Sequence, residues 1–335
     1  MENKYVIKNI DKYKDIKLAT GLDLMSYATK KRYITKNVGV GISTGTYGER
    51  WFKLPKGNAI FKTFDGPYGE NIKAIRMANE LICQELCKQV GISCAEYEPA
   101  KFGDDVGIVS YNMIEKNEKQ ESLHQFMKRV YLYSEPNLED FSEVLDRYMD
   151  RGYWLNKQQM MVDLYKLIVF DYITLQTDRN ASNVNVIFRK DAKKCYMAPV
   201  FDNEFAFGGE VLMTLNPNYE FSIPEYICYY REQAKMVTVG SDNPSSNHRL
   251  RYHLAFITMY AKKYPVFMKV LNNMLQKINP QQAFENLEKQ GHQISKEYKE
   301  FVCELVEHTK QMLKDAKKEK VSQEEIADLD DILTY

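Results

Sequence analysis

The stretch from Lys157 to Phe207 constrains this chain more than any other. It begins as an apolar run in which Met160, Met161, Leu164, Leu167, Ile168, Phe170 and Ile173 recur at helical spacing, with Asn156 placed to cap it. The spacing predicts a core helix over 157–176. Thr177-Asp178-Arg179-Asn180 then breaks it, and Val184–Phe188 and Cys195–Phe201 read as a hairpin around the polar Arg189–Lys194. Asp178 follows the buried helix, Asn183 comes five residues later, and Asp202 stands at the end of an apolar strand. This is a layout for metal-assisted phosphoryl transfer. One carboxylate, Asp178, orients an attacking hydroxyl and accepts its proton. An amide oxygen, Asn183, and a second carboxylate, Asp202, suit Mg²⁺, which takes few protein oxygens and leaves room for phosphate.

The first third supplies what such chemistry also needs. Arg50–Leu54 and Ala59–Phe64 flank Pro55-Lys56-Gly57-Asn58, which predicts a hairpin. Lys62 alternates with Ile60 and Phe64 on its second strand, where its ammonium can reach phosphates if Glu80 pairs with it. Glu80 lies in a predicted helix over 70–90, where Ile72, Ile75, Ala78, Leu81, Ile82 and Leu86 recur at spacings of three and four and Gly91 is a natural stop. Upstream, the run 39–48 is rich in glycine and small hydroxyl residues. Gly45 and Thr46 there are candidates for backbone approach to phosphate. Taken singly, each of these residues is an ordinary turn, cap or surface residue; their order along the chain is what carries the reading.

That order resembles the protein-kinase fold, and in detail its HipA-like and CtkA-like serine/threonine kinase branch. The features are Asp and Asn five apart after a buried helix, then a hairpin ending in Ala-Pro-aliphatic-aromatic-Asp, here Ala198-Pro199-Val200-Phe201-Asp202. The resemblance covers roughly 40–207 and is most specific over 178–207. It implies an α+β, two-lobed fold: an antiparallel-sheet lobe with one key helix over 1–114, and a mainly helical lobe over 115–335 that carries the catalytic hairpin at 177–207. It implies ATP and Mg²⁺ as cofactors and transfer of the γ-phosphoryl group to a protein Ser or Thr, with self-phosphorylation. Asp178 becomes the catalytic aspartate, Asn183 and Asp202 the metal ligands, Lys62 the phosphate-holding lysine and Glu80 its orienting partner. Ser110–Ile114, with Tyr111, Asn112 and Met113, becomes the hinge that reads adenine. The chain departs from the branch at Asn180, where a His is usual; Arg179 or Asn180 is then the expected phosphate contact. Two other readings stay open: a kinase-like regulatory protein without transfer, and a small-molecule kinase of the same fold.

Composition narrows the alternatives. Lys+Arg and Asp+Glu both number 46, so net charge gives no support for a nucleic-acid partner. No run of residues is long and apolar enough for a membrane span, and the N-terminus has no signal-peptide pattern. The six cysteines form no CxxC pair, which fits idle thiols in a reducing cytoplasm better than a zinc site. The five histidines are scattered. Helices are expected over 138–149, 250–278, 280–290 and 294–318, and a polar loop over 241–247.

Overall fold

The computed structural model describes residues 6–7, 13, 15–19, 21–28, 50–64, 70–129, 138–179, 183–189, 191–208, 221–230 and 250–318. In chain order they form β1 (Val6–Ile7), β2 (Leu22–Asp23), α1 (Met25–Ala28), β3 (Arg50–Leu54), β4 (Gly57–Lys62), α2 (Glu70–Val90), β5 (Tyr97–Phe102), β6 (Asp105–Tyr111) and β7 (Glu118–Ser122). Then come α3 (Leu123–Lys128), α4 (Leu138–Asp150), β8 (Trp154–Leu155), α5 (Lys157–Ile173), β9 (Asn185–Arg189), β10 (Lys194–Met197) and β11 (Phe221–Ser222). Helices α6 (Ile223–Tyr230), α7 (Leu250–Lys263), α8 (Pro265–Lys277), α9 (Pro280–Lys289) and α10 (Lys296–Lys318) complete the order. The chain divides into two compact units. The first comprises Met1–Gln120, Pro199–Ser222 and Asn279–Cys303; the second comprises Glu121–Ala198, Ile223–Ile278 and Glu304–Tyr335. Where the sequence suggests one division after residue 114, the units are interleaved.

The first unit is built on a five-stranded sheet in the order β2-β5-β6-β4-β3. The expected hairpin is present, with Leu54 opposite Gly57 across the Pro55-Lys56 turn; β4 begins at Gly57, whose φ of +139° is open to glycine. Alternation along β4 buries Ala59 and Phe61 against Phe52, Leu54, Ala100 and Val109, and sends Ile60 and Lys62 to the other face. Helix α2 spans the residues its periodicity predicts and stops at Gly91, at φ +65°, with the Ile92 amide closing on the Cys87 carbonyl. It is buried all round: every residue from Ile75 to Cys83, including Arg76, Asn79 and Glu80, is at most 3% exposed. The late segment 279–303 joins this unit through α9, where the Gln89 side-chain amide exchanges two hydrogen bonds with the Asn279 backbone and Asn286 donates to Glu85. Residues after Ala198 join it through Ala95 and Val200, whose amide and carbonyl meet at 2.7 Å.

The second unit is organised on α5. Asn156 caps it by accepting from the Gln159 amide at 3.0 Å. The helix ends at Ile173, three residues before the expected stop, because Leu175 takes a left-handed φ of +49°. The second expected hairpin forms as β9 and β10, with Lys194 opposite Arg189 in a four-stranded sheet ordered β7-β9-β10-β8. The helix expected over 250–278 is two helices. Pro265 has no N–H to continue the first and sits at the opening position of the second, α8. Tyr165 of α5 stacks on Phe267 of α8 at 4.4 Å, which holds that second helix to the core. Among the described residues no helix is long and apolar enough to cross a membrane. Residues 241–247 and the run 39–48 lie outside the described residues.

Candidate active site

In the first unit the structure brings Lys62, Glu80 and Asp202 together. Lys62 is the last residue of β4, and its Nζ donates to Asp202 Oδ1 at 3.0 Å, across 140 residues of sequence. Burial works against the ammonium, but the carboxylates of Asp202, Glu80 and Glu204 more than offset it, so the lysine is held firmly charged. Glu80 does not take the ammonium as its hydrogen-bond partner. Its Oε2 accepts from the Asn203 backbone amide at 2.9 Å and from Asn203 Nδ2 at 3.2 Å. The expected Lys62–Glu80 pair is therefore an attraction of charges without a direct bond. The cause is local: the turn that starts at Asp202 carries a main-chain N–H to the carboxylate, and Lys62 closes on the nearer aspartate. Burial raises Glu80 to about 7 and Glu204 to about 8, against the pull of Lys62.

That turn is unusual backbone. Asp202 has φ +62° and Phe207 φ +58°, conformations that cost a non-glycine residue about 1–3 kcal/mol each and persist only where the surroundings impose them. The surroundings do. The Tyr97 hydroxyl accepts from the Asp202 amide at 3.1 Å, Glu80 accepts from Asn203, and Asn79 Nδ2 donates to the carbonyls of Glu204 and Ala206, both at 2.9 Å. Arg76 lies over the Phe205 ring at 4.7 Å. Tyr97, Asn79 and Asn203 carry no sequence signal of this role; they read as strand and helix filler.

The proposed hinge also lies in this unit. Tyr111 donates its amide to the Glu96 carbonyl and its hydroxyl to Glu98. The Asn112 amide bonds the Asn58 carbonyl at 2.8 Å, and its side chain closes a small turn on Ile114. Met113 is the hinge residue whose amide and carbonyl make no hydrogen bond with a described residue.

In the second unit Asp178 and Asn183 come together. Asn183 Nδ2 donates to the Asp178 carbonyl at 2.9 Å and lies 3.4 Å from Asp178 Oδ2; the Asp178 amide donates to Gln176 Oε1 at 3.2 Å. The NH₂ of Asn183 is thus turned to Asp178. Arg179, named with Asn180 as a phosphate contact, is engaged elsewhere. Arg179 is fully buried, and its Nε donates to both oxygens of Asp171 at 3.2 and 3.3 Å, while Nη1 reaches the Asn183 carbonyl at 3.4 Å. Arg179 supports the loop from beneath. A lone acid inside the apolar run, Asp171 between Phe170 and Tyr172, was the available signal. Gly45, Thr46 and Asn180 lie outside the described residues.

Against this geometry, the comparison with solved structures is informative. The crystal structure of the Helicobacter pylori proinflammatory kinase CtkA matches with a TM-score of 0.60, over 80% of this chain and 92% of that one. This chain has a kinase-like fold. Identity to CtkA is 13%, so the likeness is one of fold, reached by a very different sequence. The Shewanella oneidensis HipA chain, from its complex with HipB and operator DNA, aligns with a TM-score of 0.44 at 12% identity, over 91% of this chain and 70% of that one. No protein-family model and no curated protein sequence matches the chain. Lys62 closes β4, Glu80 lies in the middle of α2, Asp178 and Asn183 lie in the segment between α5 and β9, and Asp202 lies beyond β10.

Proposed function

We infer that the protein is an ATP- and Mg²⁺-dependent kinase that transfers the γ-phosphoryl group to Ser or Thr of a protein, itself included. The observation that carries this reading is the Lys62–Asp202 ion pair at 3.0 Å, closed across 140 residues within a kinase-like fold. Lys62 binds nucleotide phosphate as a fixed charge, and Met113 offers adenine a free backbone amide and carbonyl. Asp178 accepts the proton of the attacking hydroxyl, and Asn183 holds its loop in register by donating to it.

The oxygen donors fit Mg²⁺. Asn183 of the second unit and Asp202 of the first are the oxygen-bearing residues that this reading assigns to it. Bound there, the ion would neutralise charge on the phosphates. The test is ATP turnover with Mg²⁺, native protein against Asp178→Ala, with intact mass recording self-phosphorylation. Transfer by the native chain that Asp178→Ala abolishes is expected; equal rates for the two sink the assignment.

A further inference from the structure

Asn79 sits one residue before Glu80 on α2, fully buried, and every polar atom of its side chain is used. Both bonds made by Nδ2 go to main-chain carbonyls of one short segment, Glu204 and Ala206. Its Oδ1 accepts from the hydroxyl of Tyr298, itself fully buried in the first turn of α10. The tyrosine has a single proton to give, so its bond fixes which way the amide faces: oxygen to Tyr298, NH₂ to the turn. Tyr298 is held in turn by the Ser295 hydroxyl, which accepts from its backbone amide, and by Tyr13, packed edge-on at 6.4 Å.

The segment so gripped is the one with left-handed backbone at Asp202 and at Phe207. Glu80 and Tyr97 hold its beginning; Asn79 alone of the three reaches past Asn203 to its end. We propose that Asn79, oriented by Tyr298, is a positioning residue that sets the backbone of 202–207 and thereby the direction of the Asp202 carboxylate. The proposal rests on the kinase reading for its consequence, metal affinity, and on hydrogen bonding alone for the positioning itself. No other side chain of this size does the same work. Aspartate keeps the bond from Tyr298 but turns an acceptor on two carbonyls, and leucine offers neither donor.

The experiment has two arms. Hydrogen exchange over 199–208 is measured by mass spectrometry in the native protein, Asn79→Asp, Tyr298→Phe, and Asn286→Ala, which loses a hydrogen bond from α9 to α2 in the same unit. About tenfold faster exchange in that peptide is expected for Asn79→Asp, with a smaller rise for Tyr298→Phe and none beyond the general softening for Asn286→Ala. The second arm titrates Mg²⁺ in ATP turnover. The half-saturating Mg²⁺ concentration is expected to rise about tenfold in Asn79→Asp, and less in Tyr298→Phe, with kcat at saturating Mg²⁺ largely recovered. A purely structural asparagine would lower the yield of active protein and leave that concentration alone. Exchange over 199–208 that is no faster in Asn79→Asp and Tyr298→Phe than in Asn286→Ala overturns the proposal, as does an unchanged Mg²⁺ requirement. Should Asn79→Asp not fold, Tyr298→Phe carries both arms. A native protein that turns over no ATP defeats the kinase reading alone, and the exchange arm still decides the role of Asn79.

Discussion

Replacing Asp171 by Asn isolates the ion pair beneath the Asp178 loop. Asp171 and Arg179 are 1% and 0% exposed, and the guanidinium touches both carboxylate oxygens. Removing one charge from such a pair leaves the other buried without compensation, at a cost of about 3–5 kcal/mol. The asparagine oxygen still accepts one bond from Nε, which places the expected loss near the lower end, about 3 kcal/mol. A loss of that size is a large part of a usual folding stability of about 5–15 kcal/mol. Urea unfolding followed by circular dichroism measures it. The double variant Asp171→Leu with Arg179→Met removes both charges and should regain most of the loss, because the pair pays heavily for desolvation. A cost below about 1 kcal/mol refutes the reasoning.

Lys62→Met keeps the bulk and removes the charge, so calorimetry should find nucleotide binding about 10- to 100-fold weaker in a folded protein; native affinity would make Lys62 an ordinary strand lysine. Asp178→Asn should leave ATP affinity within about twofold while phosphoryl transfer falls by about 10²–10⁴, the range of a lost general base, and parallel binding and turnover assays separate the two. Gly107 of β6 lies against β4 so closely that an added Cβ would stand 2.0 Å from the Lys62 carbonyl oxygen and 2.9 Å from the Phe61 ring. Gly107→Ala should therefore cost about 1–3 kcal/mol in a melt and weaken nucleotide binding by shifting Lys62, whereas a melt equal to native would show that the strands part freely.

Much of the fold was legible because local rules set it. The span of α2, its stop at Gly91, the Asn156 cap and both hairpins follow from periodicity and turn chemistry. The single helix over 250–278 failed because apolar periodicity runs on across Tyr264-Pro265 while the backbone cannot. The pairing of Arg179 with Asp171 was not legible because nothing in Thr177-Asp178-Arg179-Asn180 shows that the loop folds back on an acid eight residues earlier. Interleaved units were invisible for the same reason: the bonds joining 279–303 to α2 span 190 to 219 residues.

The candidate site divides along this line. Lys62 closes β4, Asp178 follows the end of α5, and Asp202 follows β10. Element ends are fixed by nearby turn and cap residues, so the order of chemical groups placed near them can be read from the sequence. Glu80 and Asn79 sit mid-helix, where position is equally legible but partners are not. Which groups they bind depends on main-chain directions at Asp202 and Phe207, and those left-handed residues are neither glycine nor asparagine. Asp202 tolerates that backbone but Phe207 has no preference for it, and the turn exists because α2, Tyr97 and Tyr298 impose it. It follows that the backbone of this turn is most easily undone by changes in those supports.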